Sequence, residues 1–193
     1  TMSDVLGSGF KVDAMYTPDA GSGDAQSDNG TSGELGGTSG DAQEITITGS
    51  VPMLEGLSVG VGYYDQDTEA TSTQGSYYQQ EGTGYIKYST GPVSVGFQRG
   101  VVETASGSES TAYDNEYIGI SYKISDDLSV SYNEMESRKS NDSTDLTQEF
   151  DSISLSYSMG GMTIGIADAD VSNSSYTSGR AQDETSISLS IAF

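Results

Sequence analysis

Runs in which apolar and small polar residues alternate with a period of two recur along this chain. Four segments carry one motif: Leu57-Ser-Val-Gly-Val61, Val93-Ser-Val-Gly-Phe97, Leu128-Ser-Val-Ser-Tyr132 and Met162-Thr-Ile-Gly-Ile166. Their first residues lie 36, 35 and 34 positions apart (57 to 93, 93 to 128, 128 to 162). Successive side chains of an extended strand point to opposite faces, so each motif predicts a strand with one apolar face. Each is preceded by another alternating run: Ile45-Thr-Ile-Thr-Gly-Ser-Val51, Gly84-Tyr-Ile-Lys-Tyr88, Ile118-Gly-Ile-Ser-Tyr-Lys-Ile124 and Ile153-Ser-Leu-Ser-Tyr-Ser-Met159. Only short turn-forming sequences separate the two runs of a pair: Pro52 to Gly56, Gly91-Pro92, Ser125-Asp-Asp127 and Gly160-Gly161. With Phe10–Tyr16 and Thr185–Phe193 added, about ten strands are predicted.

Between pairs the sequence is acidic and rich in Gly, Ser and Thr, as in Asp65–Glu81, Glu103–Asn115, Glu134–Gln148 and Asp168–Glu184. Read as loops, these make short and long connections alternate. An up-and-down antiparallel sheet then carries its turns on one edge and its loops on the other, the asymmetry of transmembrane barrels. Soluble sandwiches mix their connections through Greek keys. The predicted fold is therefore all-β, an antiparallel up-and-down transmembrane β-barrel, with residues 1–193 forming a single domain.

Strand parity sorts the side chains. On strands running towards the short turns, the apolar parity places Tyr88, Tyr122, Tyr157 and Phe193 near the strand end, 34, 35 and 36 residues apart. On the returning strands Tyr63, Phe97 and Tyr132 share that parity near the loops, and aliphatics such as Ile86, Ile120 and Leu155 lie between. Two aromatic girdles around an aliphatic band suit the two interfaces of a bilayer. The opposite parity carries Thr46, Thr48, Ser94, Gly96, Gly119, Ser121, Ser131 and Ser154, which are too small and polar to fill a core but suit a wetted wall. Lys11, Lys87 and Lys123 are assigned to this lumen-facing parity near the short turns, with Asp13 and Asp151 beside them, where charges bias ion passage. Arg99 takes lipid-facing parity at a loop end, which snorkelling or a bulge would accommodate, while Arg138, Lys139 and Arg180 are read as loop residues.

Composition sharpens this picture. Only 33% of residues are hydrophobic, Trp is absent and Phe occurs four times. A soluble core of normal size is out of reach, whereas a barrel uses lipid as solvent for its apolar face. The formal charge of −22, from 29 acids and seven bases, repels nucleic acid. Without Cys or His, the chain lacks the usual nucleophiles, general base and transition-metal ligands, so no enzyme activity is expected. The acidic run Asp19–Gly30 has oxygen ligands without EF-hand spacing, leaving at most weak calcium or magnesium binding by loop carboxylates, and no cofactor is expected. Thr1–Gly9 lacks the basic start and apolar stretch of a signal peptide, which suggests a processed chain or a fragment.

The chain resembles the Gram-negative general porins, most closely the small acidic versions from marine α-proteobacteria. The resemblance runs from Gly9-Phe-Lys-Val-Asp-Ala-Met-Tyr16 to the end, and rests on the turn-plus-Val-Ser-Val-Gly repeat and the closing Ser-Ile-Ser-Leu-Ser-Ile-Ala-Phe193. It implies an outer-membrane location, a barrel of about sixteen strands of which this chain is the C-terminal part, and a homotrimer. It also implies recognition of the last strand by the outer-membrane assembly machinery, and a constriction loop in the N-terminal part that is not represented here. The function expected is a water-filled channel for passive diffusion of ions and small hydrophilic solutes. The alternative is an extracellular acidic β-repeat or adhesin-like structural protein, which would also be rich in Gly, Ser and Asp.

Overall fold

A computed structural model of the chain describes residues 2, 9–17, 40–68, 77–106, 109–141 and 143–191. Ten strands follow in order: β1 (Phe10–Thr17), β2 (Gly40–Ser50), β3 (Leu57–Thr68), β4 (Tyr77–Thr90), β5 (Val93–Ser106), β6 (Glu109–Lys123), β7 (Leu128–Asn141), β8 (Thr144–Met159), β9 (Met162–Ser172) and β10 (Gln182–Ile191). They form one sheet in chain order, β1 to β10, and every neighbouring pair is antiparallel. At the outer edge of β1, Met2 exchanges both backbone hydrogen bonds with Val12. A 3-10 turn, Ser174–Tyr176, interrupts the β9–β10 connection.

The turns on one edge lie where Gly and Pro place them. Gly160 and Gly161 both have positive φ (55° and 89°), as a type I′ hairpin turn requires. Gly56 has φ +88°, and a Cβ there would stand 2.0 Å from the Ser89 carbonyl oxygen, so only glycine fits. Ser125 Oγ accepts the amides of Asp127 and Leu128 and closes the β6–β7 turn.

The other edge differs from the sequence expectation. Residues 103–106, 109–115, 134–141 and 144–148, read above as loop, are extended strand, and β5–β6 and β7–β8 are joined through 107–108 and 142–143 alone. Outside the apolar band both faces of a strand are polar, so the alternation that signals a strand disappears while the backbone ladder continues. Strands of 14, 15 and 16 residues result for β5, β6 and β8, longer than the roughly 9–11 needed to cross a bilayer. Residue register is unbroken through β5, so Arg99 involves no bulge.

Among the described residues no second layer packs on the sheet, and no large side chain is fully buried. The buried residues among those described are small: Ala42, Gly60, Ala105, Ser137 and Ser174. Large apolar side chains are instead exposed along the sheet, with Ile153 at 56% and Ile187 at 76%. A sandwich core is thereby ruled out for the described residues, and the apolar surface is left for another solvent. No helix among them is long and apolar enough to cross a membrane, and any crossing is by strands.

Candidate functional site: the two faces and the inward loop

Directly paired residues share a face, so the register sorts every strand. One face is apolar near the turns: Leu57, Val59, Val61 and Tyr63 on β3, Val93, Val95 and Phe97 on β5, Leu128, Val130 and Tyr132 on β7, Ile187, Leu189 and Ile191 on β10. From Leu57 to Tyr63 this band covers roughly 20 Å at about 3.3 Å per residue. Tyr88, Tyr122 and Tyr157 lie on this face at its turn end and Tyr63, Phe97 and Tyr132 at its loop end, all exposed. Phe193 lies outside the described residues.

Beyond the loop-end aromatics the same face turns charged. Tyr63 donates to Asp65 at 3.4 Å, Tyr16 to Asp41 at 2.8 Å, and Tyr132 to Asp151. Arg99 grips Asp114 in a two-pronged contact (3.0 and 2.7 Å) and lies 3.4 Å from Glu116. Further up, Arg138 grips Asp145, with Nε 2.7 Å from Oδ1, which holds that carboxyl below the usual carboxylate range. Arg138 and Lys139 thus belong to β7 rather than to a loop.

Asp151 corrects the expectation. It pairs with Glu134 and Asp170 and lies two residues from Ile153 in an unbroken strand, so it shares the apolar face, not the lumen-facing parity. A period of two allows no other outcome, and an error of one position moves a side chain through the sheet. Glu134, Asp151, Asp170 and Asp183 form one cross-strand row that starts the charged zone.

Lys11, Asp13, Lys87 and Lys123 lie on the other, polar face. Lys11 and Asp13 stand opposite Thr48 and Thr46 and pair with each other at 2.7 Å. Lys87 stands between Ser58 and Gly96. Lys123 lies opposite Ser129 and reaches Asp126 of the turn at 2.9 Å, which holds the Asp126 carboxyl below its usual range. Around them the wall is small: Gly96 faces Gly119, Ser121 faces Ser131, and Ser131 and Ser154 hydroxyls meet at 2.6 Å. Among the described residues no group of three His, Cys, Asp or Glu could hold a metal ion, and Asp19–Gly30 lies outside them.

The polar face is small near the turns but not throughout. One row across β4 to β9 runs Tyr85, Gln98, Tyr117, Met135, Phe150, Val171. Tyr85 fits because its partner is Gly60, where a Cβ would stand 2.3 Å from the ring. Below this row, Gly96 and Gly119 help to form a recess of about 320 Å³.

Higher still, the β9–β10 connection folds onto the polar face. Tyr176 packs on Tyr113 of β6, ring centroids 5.6 Å apart, and Lys139 Nζ lies 5.7 Å from both centroids. The Tyr176 hydroxyl meets Ser137 Oγ at 2.6 Å, and Ser137 also donates to Asn115. Asn173 donates to the Thr147 carbonyl (2.9 Å), and the Ser175 amide to Gln148 (2.8 Å). The Ser174 amide donates to the Arg180 carbonyl at 2.8 Å, and the Arg180 amide to Thr177 at 3.1 Å. Asn173, Ser175 and Tyr176 take left-handed φ of 50°, 55° and 51°. Such backbone is unfavourable by about 1–2 kcal/mol per residue other than glycine, and the surrounding bonds hold it. Composition had marked this segment only as a polar loop. The one signal in it was a Tyr among Ser, Thr and Gly.

Comparison with known proteins follows the same lines. The family described as Gram-negative porin matches residues 5–193. Among solved structures, the chain is similar to the outer-membrane expressed OmpT of Vibrio cholerae, with a TM-score of 0.56 and 11% identity over 79% of this chain and 54% of that one. The chain thus spans about half the length of that structure, and the likeness concerns the fold. No curated protein sequence matches it significantly.

Proposed function

Because the chain belongs to the Gram-negative porin family, and hence to the outer membrane, we propose that it forms the wall of a water-filled channel for passive diffusion of ions and small hydrophilic solutes. The observation that carries this reading is the difference between the faces of one unlayered sheet. An exposed aliphatic band between aromatic rows suits lipid, and a wall of Ser, Thr and Gly bearing Lys11, Asp13, Lys87 and Lys123 suits water. Lipid is then the partner of the apolar face. The last strand, with Ile187, Leu189 and Ile191 on that face, is the element offered to the assembly machinery, and a homotrimer is the assembly proposed. With no His or Cys in the chain, transport without chemistry is the activity proposed.

Planar-bilayer recording tests it. The purified full-length protein is expected to give stepwise current increments in potassium chloride. A protein that inserts, shown by heat-modifiable gel mobility, yet passes no current would sink the channel reading.

A further inference from the structure

We propose that the β9–β10 connection narrows the loop-side mouth of this channel, and that Lys139, held between Tyr113 and Tyr176, is a residue that sets its preference for anions. The inference rests on the reading of the polar face as a lumen wall. It deepens that reading by naming a narrowing element and a selectivity-determining charge.

Three independent features point the same way. First, the connection is built to stay in place. It is tied to β7 by Tyr176, to β8 by Asn173 and Ser175, and to itself by the bonds of Ser174 and Arg180. Its left-handed residues persist only because those contacts over-determine them, and strain of this kind collects at functional positions. Second, it lies over the polar face, because Tyr113, Ser137 and Lys139 all have that parity, so it takes cross-section from the lumen. Third, among the described residues no carboxylate lies within 4.0 Å of Lys139 Nζ, as is also true of Lys87 and Arg180, while Lys11, Lys123, Arg99 and Arg138 all have one; only Lys139 is held over aromatic rings. Two ring faces hold the ammonium in position without cancelling its charge. In a chain with a formal charge of −22, a cation with no carboxylate beside it among the described residues acts, at a narrowing, against the general field and locally favours anions.

The test uses the full-length protein and three variants: Tyr176→Ala, Tyr176→Phe and Lys139→Gln. A unit charge about 7 Å from a permeating ion in water changes its local occupancy roughly two- to threefold. Because the charge acts with opposite sign on the two ions, Lys139→Gln should lower the chloride-to-potassium permeability ratio, read from the reversal potential in a salt gradient, by the square of that factor, roughly four- to ninefold. Tyr176→Ala should raise single-channel conductance, and Tyr176→Phe, which keeps the ring, should stay near wild type. Trypsin supplies a readout that needs no current, since Arg180 lies within the connection and its backbone is hydrogen-bonded there. Cleavage after Arg180 should be slow in wild type and much faster in Tyr176→Ala.

If wild type conducts but neither conductance nor reversal potential moves in the variants, the proposal is overturned while the channel reading stands. Equally rapid cleavage after Arg180 in wild type and Tyr176→Ala also overturns it, because the connection is then not fixed. A wild type that inserts, resists cleavage and carries no current overturns the channel reading, and the role of Lys139 with it.

Discussion

At the scale of single residues, much of the chemistry is set by which charge faces which across a ladder. Arg138 and Asp145 meet because β7 and β8 continue past the apolar band, bringing side chains seven positions apart into a two-pronged contact. The hydrogen bond from Arg138 is the main reason the Asp145 carboxyl ionises more readily than usual. A carboxyl whose folded value is depressed contributes stability above its unfolded value, near pH 4, and loses it as pH falls through the lower folded value. Wild type should therefore resist urea slightly better than Asp145→Asn at pH 7. The two unfolding curves should draw together as pH falls below the usual carboxylate range. Both groups are more than half exposed, so the difference at pH 7 should also shrink in high salt. A gap that persisted in acid would mean that Asp145 acts through something other than its charge.

At the scale of the element, the two faces of one strand ask for opposite chemistry. Ile120 and Ser121 are neighbours on β6, yet Ile120 stands between Val95 and Tyr132, and Ser121 between Ser94 and Ser131. Lysine on the lipid side of a barrel strand is unfavourable by about 2–4 kcal/mol at the bilayer midplane and by much less near the interfaces. Ile120→Lys should accordingly destabilise the protein by an amount of that order in urea titrations in lipid vesicles. Ser121→Lys should change stability by less than about 1 kcal/mol, since a wetted wall leaves the ammonium hydrated. Equal losses would contradict the assignment of faces. Ladder and side chains also part company within an element. The ladder of β5 to β8 extends beyond the apolar band, where only backbone pairing and cross-strand ion pairs such as Arg99–Asp114 specify the hairpin.

At the scale of the molecule, the described residues form a single sheet without a covering layer, and many of its large apolar groups are exposed. Such a surface exceeds what a soluble monomer tolerates. The protein should stay monodisperse only in detergent or lipid and show a heat-dependent shift in gel mobility. A species that remains monodisperse in plain buffer would favour the extracellular adhesin-like alternative. The whole-molecule pattern of charge has a direction as well. Apolar-face acids gather beyond the loop-end aromatics, whereas Lys87 and Lys123 lie on the polar face towards the turns.

What the amino-acid order settles alone is whatever obeys a strict local period. Strand identity near the turns, the positions of the four tight turns, the apolar face with Tyr88, Tyr122, Tyr157, Tyr63, Phe97 and Tyr132, and the faces of Lys11, Asp13, Lys87 and Lys123 all follow from a repeat of two and from Gly, Pro and Asp chemistry. Where both faces are polar, that period leaves no mark. The strand extensions, the pairing of Arg99 and Arg138, and the misassigned face of Asp151 therefore emerged only from the ladder. The inward fold of the β9–β10 connection needed the tertiary structure most. Tyr176 finds Tyr113 and Lys139 across 63 and 37 positions of chain (113 to 176, 139 to 176), and no local pattern encodes contacts between residues that distant in sequence. Only the pairing of β6 with β7 and the folding of the connection over them brings these residues together, and with them the charge proposed to govern what passes.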